Sequence, residues 1–282
     1  MSCPVRSRTW KDILNFPLGV RQAKPREQGL TMIIDKGLGL GETRDLLHLC
    51  DPYIDFWKLG FGTSALYLPE ILEEKIQLVK SFGIQIYPGG TFLEVAILQN
   101  KLKEYLYMAK ELGFTAIEIS DGTIPLQAEV REKAIALAAS LDFLVLTEVG
   151  KKDRTQRRTP AQLARQIKND LARGAYRVIL EGRDSGINAG IYDERGCLSG
   201  RELEELLACL DDPRLLIWEA PLKSQQQELI LKFGPDVNLG NIPPQEVLSL
   251  EALRVGLRSD TLQSAIRNGF FDREQKKLAG LT

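Results

Sequence analysis

The chain has 282 residues, 37 Lys and Arg against 38 Asp and Glu, and 44% hydrophobic residues. That length admits two ordinary domains or one large α/β barrel of about 250 residues. The near-neutral charge, with both signs interspersed, excludes the basic field that binds nucleic acid non-specifically.

The N-terminal stretch MSCPVRSRTWKDIL lacks the apolar core of a signal peptide, and no run of about 18 apolar residues occurs, so a cytoplasmic chain with no membrane partner is expected. Cys3, Cys50, Cys197 and Cys209 are widely spaced and none forms a C-x-x-C pair, which argues for reduced thiols rather than a zinc knuckle or a disulfide framework. After a polar, proline-bearing extension of about 1–29, short β-branched apolar runs alternate with longer segments of helical period. The runs read as strands are 30–35, 54–59, 84–87, 116–120, 143–148, 177–181, 215–219 and 237–239, eight in all.

Between them, boundary chemistry marks the helices. Pro69 opens one and Gly83 closes it, while Thr159 to Gln162 and Ser199 to Glu202 fit capping boxes. Eight βα units with no composition break predict a single (β/α)8 TIM barrel over 1–282, with a doubly wound open sheet as the alternative.

In a barrel the functional residues stand at the C-terminal strand ends. Acidic residues finish five of them: Asp35, Glu118, Glu148, Glu181 and Glu219. Period-2 geometry can aim such side chains into one mouth. Carboxylates crowded there repel unless protonated, paired with Lys or Arg, or bridged by a cation, and oxygen-only ligation suits Mg²⁺. Asp35, Glu118, Glu148 and Glu181 are the candidate ligands; helix capping or pairing with lysine is the alternative for each.

Lys36, Lys58, Lys151 and Lys152 stand at the same rim, able to neutralise the acids, bind an anion or deliver a proton. Glycine follows most strand ends, which suits either a phosphate or simply a tight turn. Gly240 and Asn241, with Arg254 and Arg258 beyond them, are phosphate candidates. Lys36, Gly90, Thr91 and Arg183 complete the substrate-binding set. Gly37-Leu38-Gly39-Leu40-Gly41 has the wrong spacing for a dinucleotide fingerprint. His48 has no partner acid at a catalytic spacing, and no G-x-S-x-G occurs.

Lys24-Pro25-Arg26, TMIIDKG (31–37), DFWKLGFG (55–62), YPGGT (87–91), EISDG (118–122), EVGKKD (148–153) and Glu181-Gly182-Arg183 together resemble the phosphosulfolactate synthase family, from about Arg21 to Thr261. The resemblance implies a Mg²⁺-dependent (β/α)8 enzyme, a carbon–sulfur lyase, that adds sulfite to phosphoenolpyruvate. Its product, (2R)-phospho-3-sulfolactate, leads to coenzyme M in methanogens and to sulfolactate in spore formers. Lys151 is then the proton donor, chosen over Lys152, and Lys58 across the barrel binds the anion. Two other readings stand beside it: a non-catalytic heat-stress-associated relative, and another Mg²⁺-dependent enolate-forming enzyme acting on a phosphorylated acid. A homo-oligomer is compatible with all three.

Overall fold

The structure, a computed structural model, describes residues 9–151, 158–183, 185–187 and 191–269. Lys152, the alternative proton donor, lies outside these residues, as does Cys3. Eight parallel strands alternate with helices: β1 (Thr31–Asp35), α1 (Leu40–Cys50), β2 (Phe56–Leu59), α2 (Pro69–Ser81), β3 (Gln85–Pro88), α3 (Gly90–Leu98), α4 (Leu102–Leu112), β4 (Ala116–Ile119), α5 (Ala128–Ser140), β5 (Leu144–Val149), α6 (Pro160–Ala172), β6 (Arg177–Leu180), α7 (Gly200–Ala208), β7 (Leu216–Glu219), α8 (Lys223–Phe233), β8 (Leu239–Ile242), α9 (Val247–Arg254) and α10 (Ser259–Arg267). The strand order β3-β2-β1-β8-β7-β6-β5-β4 makes a nearly closed (β/α)8 barrel. Its seam lies between β3 and β4, where Thr115 donates its backbone N–H to the Ile86 carbonyl at 3.1 Å. The Thr115 hydroxyl accepts the Ile86 N–H at 3.0 Å, so one residue supplies both bonds that a strand ladder would otherwise make.

The strands are buried on both faces, and two apolar layers result. Ile33, Trp57, Ile117, Val145, Val178 and Trp218 face the helices in the larger core. Leu30, Met32, Phe56, Tyr87, Ala116, Leu146, Ile179 and Ile217 fill the barrel interior. Two residues beyond these interior positions along their strands come Lys58, Glu118, Glu148, Glu181 and Glu219, all buried. Alternation therefore carries the same inward face from an apolar plug to a charged mouth.

Local chemistry sets several boundaries as expected. Thr159 and Gln162 form their reciprocal cap, with Thr159 N–H to Gln162 Oε1 at 2.9 Å and Gln162 N–H to Thr159 Oγ1 at 3.3 Å. Gly83, at φ 69°, ends α2 in the left-handed region. Ser199 does precede α7, but its side chain makes no capping hydrogen bond.

The last strand departs from expectation. Gly240 and Asn241, expected just past the strand at 237–239, lie inside β8. Thr31 is in register with Leu239 but Ile33 with Ile242, so β8 carries one extra residue there. Asn241 absorbs it at φ 53°. A Cβ on Gly240 would stand 2.3 Å from Met32 Cε, which explains a glycine in the strand.

The N-terminal segment and α9 close the opposite end. Lys24 donates to the carbonyls of Asp51, Ile54 and Phe82 at 2.9–3.2 Å. Arg26 pairs with Asp55. Arg254, read as a phosphate candidate, is fully buried at this floor. It donates to Pro235 O at 2.5 Å, Val237 O at 2.6 Å and Leu30 O at 3.3 Å. Among the described residues no helix is long and apolar enough to cross a membrane.

Conserving the mouth while loosening the floor should separate stability from activity. Arg254→Met strands three buried carbonyls, each worth roughly 1–3 kcal/mol when left unpaired. The guanidinium midpoint should fall sharply with the m-value unchanged, while KM for every substrate stays within twofold. An unaltered midpoint would contradict the floor assignment.

Candidate active site

Lys58, on β2, projects inward and is surrounded by carboxylates from three other strands. Its ammonium lies 2.9 Å from Glu118 Oε2, 3.3 Å from Glu219 Oε1 and 3.6 Å from Glu148 Oε2. Burial alone would pull Lys58 down, but Glu118, Glu219 and Glu148 outweigh it and hold the ammonium well above the usual lysine range. Burial also pushes the Glu118 carboxyl up. Lys58 opposes that shift, Glu148 and Glu219 reinforce it, and the group rests at about 7.

Backbone donors hold one oxygen each of Glu118, Glu219 and Glu181. Gly90 N–H donates to Glu118 Oε1 at 2.8 Å across the seam. Gly182 N–H donates to Glu219 Oε2 at 2.9 Å, and Arg183 N–H to Glu181 Oε1 at 2.7 Å. Glycine at the first two leaves the space these contacts need. A Cβ on Gly90 would meet Glu118 Oε1 at 2.6 Å, and one on Gly182 would meet the Glu219 carbonyl at 2.7 Å.

Lys58, Gly90, Glu118, Glu148, Glu181 and Glu219 line a cavity of about 400 Å³ that Thr91, Arg183, Phe61 and Asn241 also border. Glu148, Glu181 and Glu219 each bring a carboxylate oxygen within 4.8 Å of the others. This hard, all-oxygen donor set from three adjacent strands fits Mg²⁺. Glu219, expected at the rim but outside the metal set, thus joins Glu148 and Glu181; Glu118 pairs directly with Lys58.

Asp35 is not brought to this cluster. In the β1–β2 register Ile34 pairs with the inward Lys58, and Asp35 with the outward Leu59. Asp35 therefore points toward the helices. It accepts from the N–H groups of Gly37 and Leu38 at 2.8 and 2.7 Å, from Trp57 Nε1 at 2.9 Å and from the buried Lys75 ammonium.

Lys151 also stands apart from the cavity lining. It donates to the carbonyls of Asp121 and Ile124 and pairs with the Asp121 carboxylate at 3.3 Å. That makes it a brace for the β4–α5 loop. Glu94 of α3 braces the same loop, accepting from Ser120 Oγ and from the N–H groups of Thr123 and Ile124. Burial would push Asp121 up, but Arg131, Arg158 and Lys151 overcome it and hold its carboxyl below the usual range.

Of the other substrate candidates, Gly240 packs beneath the mouth on Met32. Lys36 stands beside the cavity with its ammonium 5.3 Å from the Phe61 ring centre. Arg258 reaches Ser249 Oγ at 2.6 Å and does not border the mouth.

Comparison with known proteins bears on this arrangement. The family described as (2R)-phospho-3-sulfolactate synthase (ComA) matches residues 19–260. A phosphosulfolactate synthase from Methanothermobacter thermautotrophicus is 47% identical over 244 residues, covering 86% of this chain and 94% of its own. One from Bacillus subtilis is 41% identical over 250 residues, covering 88% and 97%. Among solved structures, phosphonopyruvate hydrolase aligns at TM-score 0.53 and 14% identity over 89% of this chain and 84% of its own. A 3-hexulose-6-phosphate synthase from Salmonella typhimurium aligns at TM-score 0.53 and 12% identity over 80% and 98%. These structural likenesses speak to the fold alone.

The raised Glu118 carboxyl should appear in metal-free stability. A group whose folded pKa, about 7, lies above its ordinary value of 4.5 favours the protonated fold. Its contribution is present below 4.5 and lost as pH rises through 7. Denaturation curves should therefore show the native protein losing stability over that window relative to Glu118→Gln. Parallel pH profiles for the two proteins would contradict the coupling.

Proposed function

The chain belongs to the (2R)-phospho-3-sulfolactate synthase family, and from that premise we propose that it adds sulfite to phosphoenolpyruvate at the carboxylate-lined mouth. The observation that carries the reading is the Lys58 ammonium enclosed by Glu118, Glu148 and Glu219, beside three carboxylate oxygens gathered as a cation would require.

The chemistry is additive. The sulfur lone pair of sulfite attacks C3 of phosphoenolpyruvate, the C2–C3 π electrons move toward C2 and the carboxylate, and a proton at C2 completes (2R)-phospho-3-sulfolactate. Sulfite is already nucleophilic, so no activated side chain is required. Mg²⁺ held by Glu148, Glu181 and Glu219 would supply positive charge where the substrate carboxylate becomes more negative. The backbone donors Gly182 and Arg183 keep Glu219 and Glu181 oriented for that task. Lys58 is the ammonium that borders the cavity among its described lining residues, and we assign it the C2 proton. Lys151 then positions the β4–α5 loop.

Incubation with phosphoenolpyruvate, sulfite and Mg²⁺ should yield phosphosulfolactate by ³¹P NMR, and EDTA should abolish turnover. Glu219→Gln should weaken Mn²⁺ binding at least about tenfold by calorimetry, the scale seen when a metal-orienting group is lost, whereas Asp35→Asn should lower the melting temperature and leave Mn²⁺ affinity alone. No product under any divalent cation would favour the non-catalytic relative, and turnover with a different nucleophile would favour the third reading.

The two lysines separate by kinetics. Lys58→Ala should lower kcat by roughly 10²- to 10⁴-fold, the range of a general acid. Lys151→Ala should mainly lower the melting temperature. A kcat collapse in Lys151→Ala at unchanged melting temperature would return the proton to that residue.

A further inference from the structure

Beside the mouth lies a second chamber of about 290 Å³, framed by the loops that follow β1, β7 and β8. Ile34 and Asn241 border both spaces, so the two meet at that wall. We propose that this side chamber seats the phosphate group of the three-carbon substrate, with Lys36 and Asn241 as its binding residues. The inference rests on the reading above and assigns the two ends of the substrate to different compartments.

Charge separates the compartments. The mouth presents Glu118, Glu148, Glu181 and Glu219 against Lys58 and Arg183, so a phosphate dianion placed there would meet the carboxylates directly. Among the described residues, the side chamber's lining includes Lys36 and no carboxylate. Nearby Asp35 is offset by the buried Lys75 ammonium. A substrate whose carboxylate and phosphate ester share one carbon can thus place the first among the metal-gathering oxygens and the second beside Lys36.

Asn241 supplies the independent observation. It is 3% exposed, is held at φ 53° by the extra residue of β8, and its side-chain oxygen has no hydrogen-bond partner. A buried amide left unsatisfied is costly, and turning the amide over presents its N–H groups to an anion instead. Gln245 is the other side-chain amide on this lining. Pro221, Pro243 and Pro244 lack N–H groups, and the N–H groups of Gly37 and Leu38 already serve Asp35. Recognition therefore falls to side chains, which substitution can remove.

The probe is inorganic phosphate, tested as an inhibitor and by calorimetry on the native protein, Lys36→Met, Asn241→Asp and Lys36→Arg. Phosphate should compete with phosphoenolpyruvate. In Lys36→Met and Asn241→Asp, its inhibition constant and the KM for phosphoenolpyruvate should both rise about ten- to a hundredfold, the scale of one charge-assisted contact. Their kcat should stay within about threefold because such binding is uniform. KM for sulfite should not move, and Lys36→Arg should retain most of the affinity. Unchanged phosphate inhibition in both variants, a rise confined to the sulfite KM, or phosphate bound without competing with phosphoenolpyruvate would each overturn the assignment. If the native protein forms no phosphosulfolactate, the reading of the reaction fails. Calorimetry with phosphate then decides the chamber alone: weaker binding in both variants upholds it, and equal binding removes it.

Discussion

One ammonium among four buried glutamates is the constraint on which the mouth depends. Lys58 reaches Glu118, Glu148 and Glu219, while Glu181 completes the acidic lining. Carboxylates so placed lose hydration and repel one another, and a single cation offsets only part of that cost. The strain is visible in Glu118, whose carboxyl rises to about 7 even with Lys58 beside it. A site built this way is unfavourable for folding and favourable for binding a cation, a common exchange of stability for function.

The surrounding fold is organised to hold that arrangement still. Backbone N–H groups of Gly90, Gly182 and Arg183 each grip one carboxylate, and the two glycines leave no room for a side chain. Behind them, Glu94 and Lys151 brace the β4–α5 loop from opposite sides. Asp121 in that loop gathers Arg131, Lys151 and Arg158. A second buried pair, Asp35 with Lys75, fixes the loop after β1 through the Leu38 carbonyl, which Lys75 reaches at 2.6 Å. Charges at the far end serve stability: Arg26 and Arg254 tie the segments that enter β1, β2 and β8.

Much of this was legible in the sequence. Eight apolar runs spaced by amphipathic stretches dictated the barrel, and the acids ending β4 to β7 lay where period-2 alternation turns them inward. Alternation failed at β1 because Met32-Ile33-Ile34 is apolar on both faces. Nothing in that run shows which face Asp35 shares, and only the register with β2 settles it. Glu219 carried the same signal as Glu181 and follows the outward Trp218, so its parity was available. At β8 the Gly240-Asn241 pair has turn chemistry, and its use as a strand irregularity depends on packing against Met32. Lys151 lies beyond the end of β5, where alternation no longer applies, and its partners come from a loop thirty residues away in sequence.

Lys58 is a persistent ammonium held by its carboxylate neighbours, and its own titration is the decisive test. With lysine labelled at ¹⁵Nζ and the resonance assigned by its loss in Lys58→Met, the metal-free protein can be followed by NMR across the alkaline range. The ammonium signal should survive well past the ordinary lysine value of about 10.4. A midpoint at or below that value would contradict it, since the carboxylates would then not be holding the proton on Lys58.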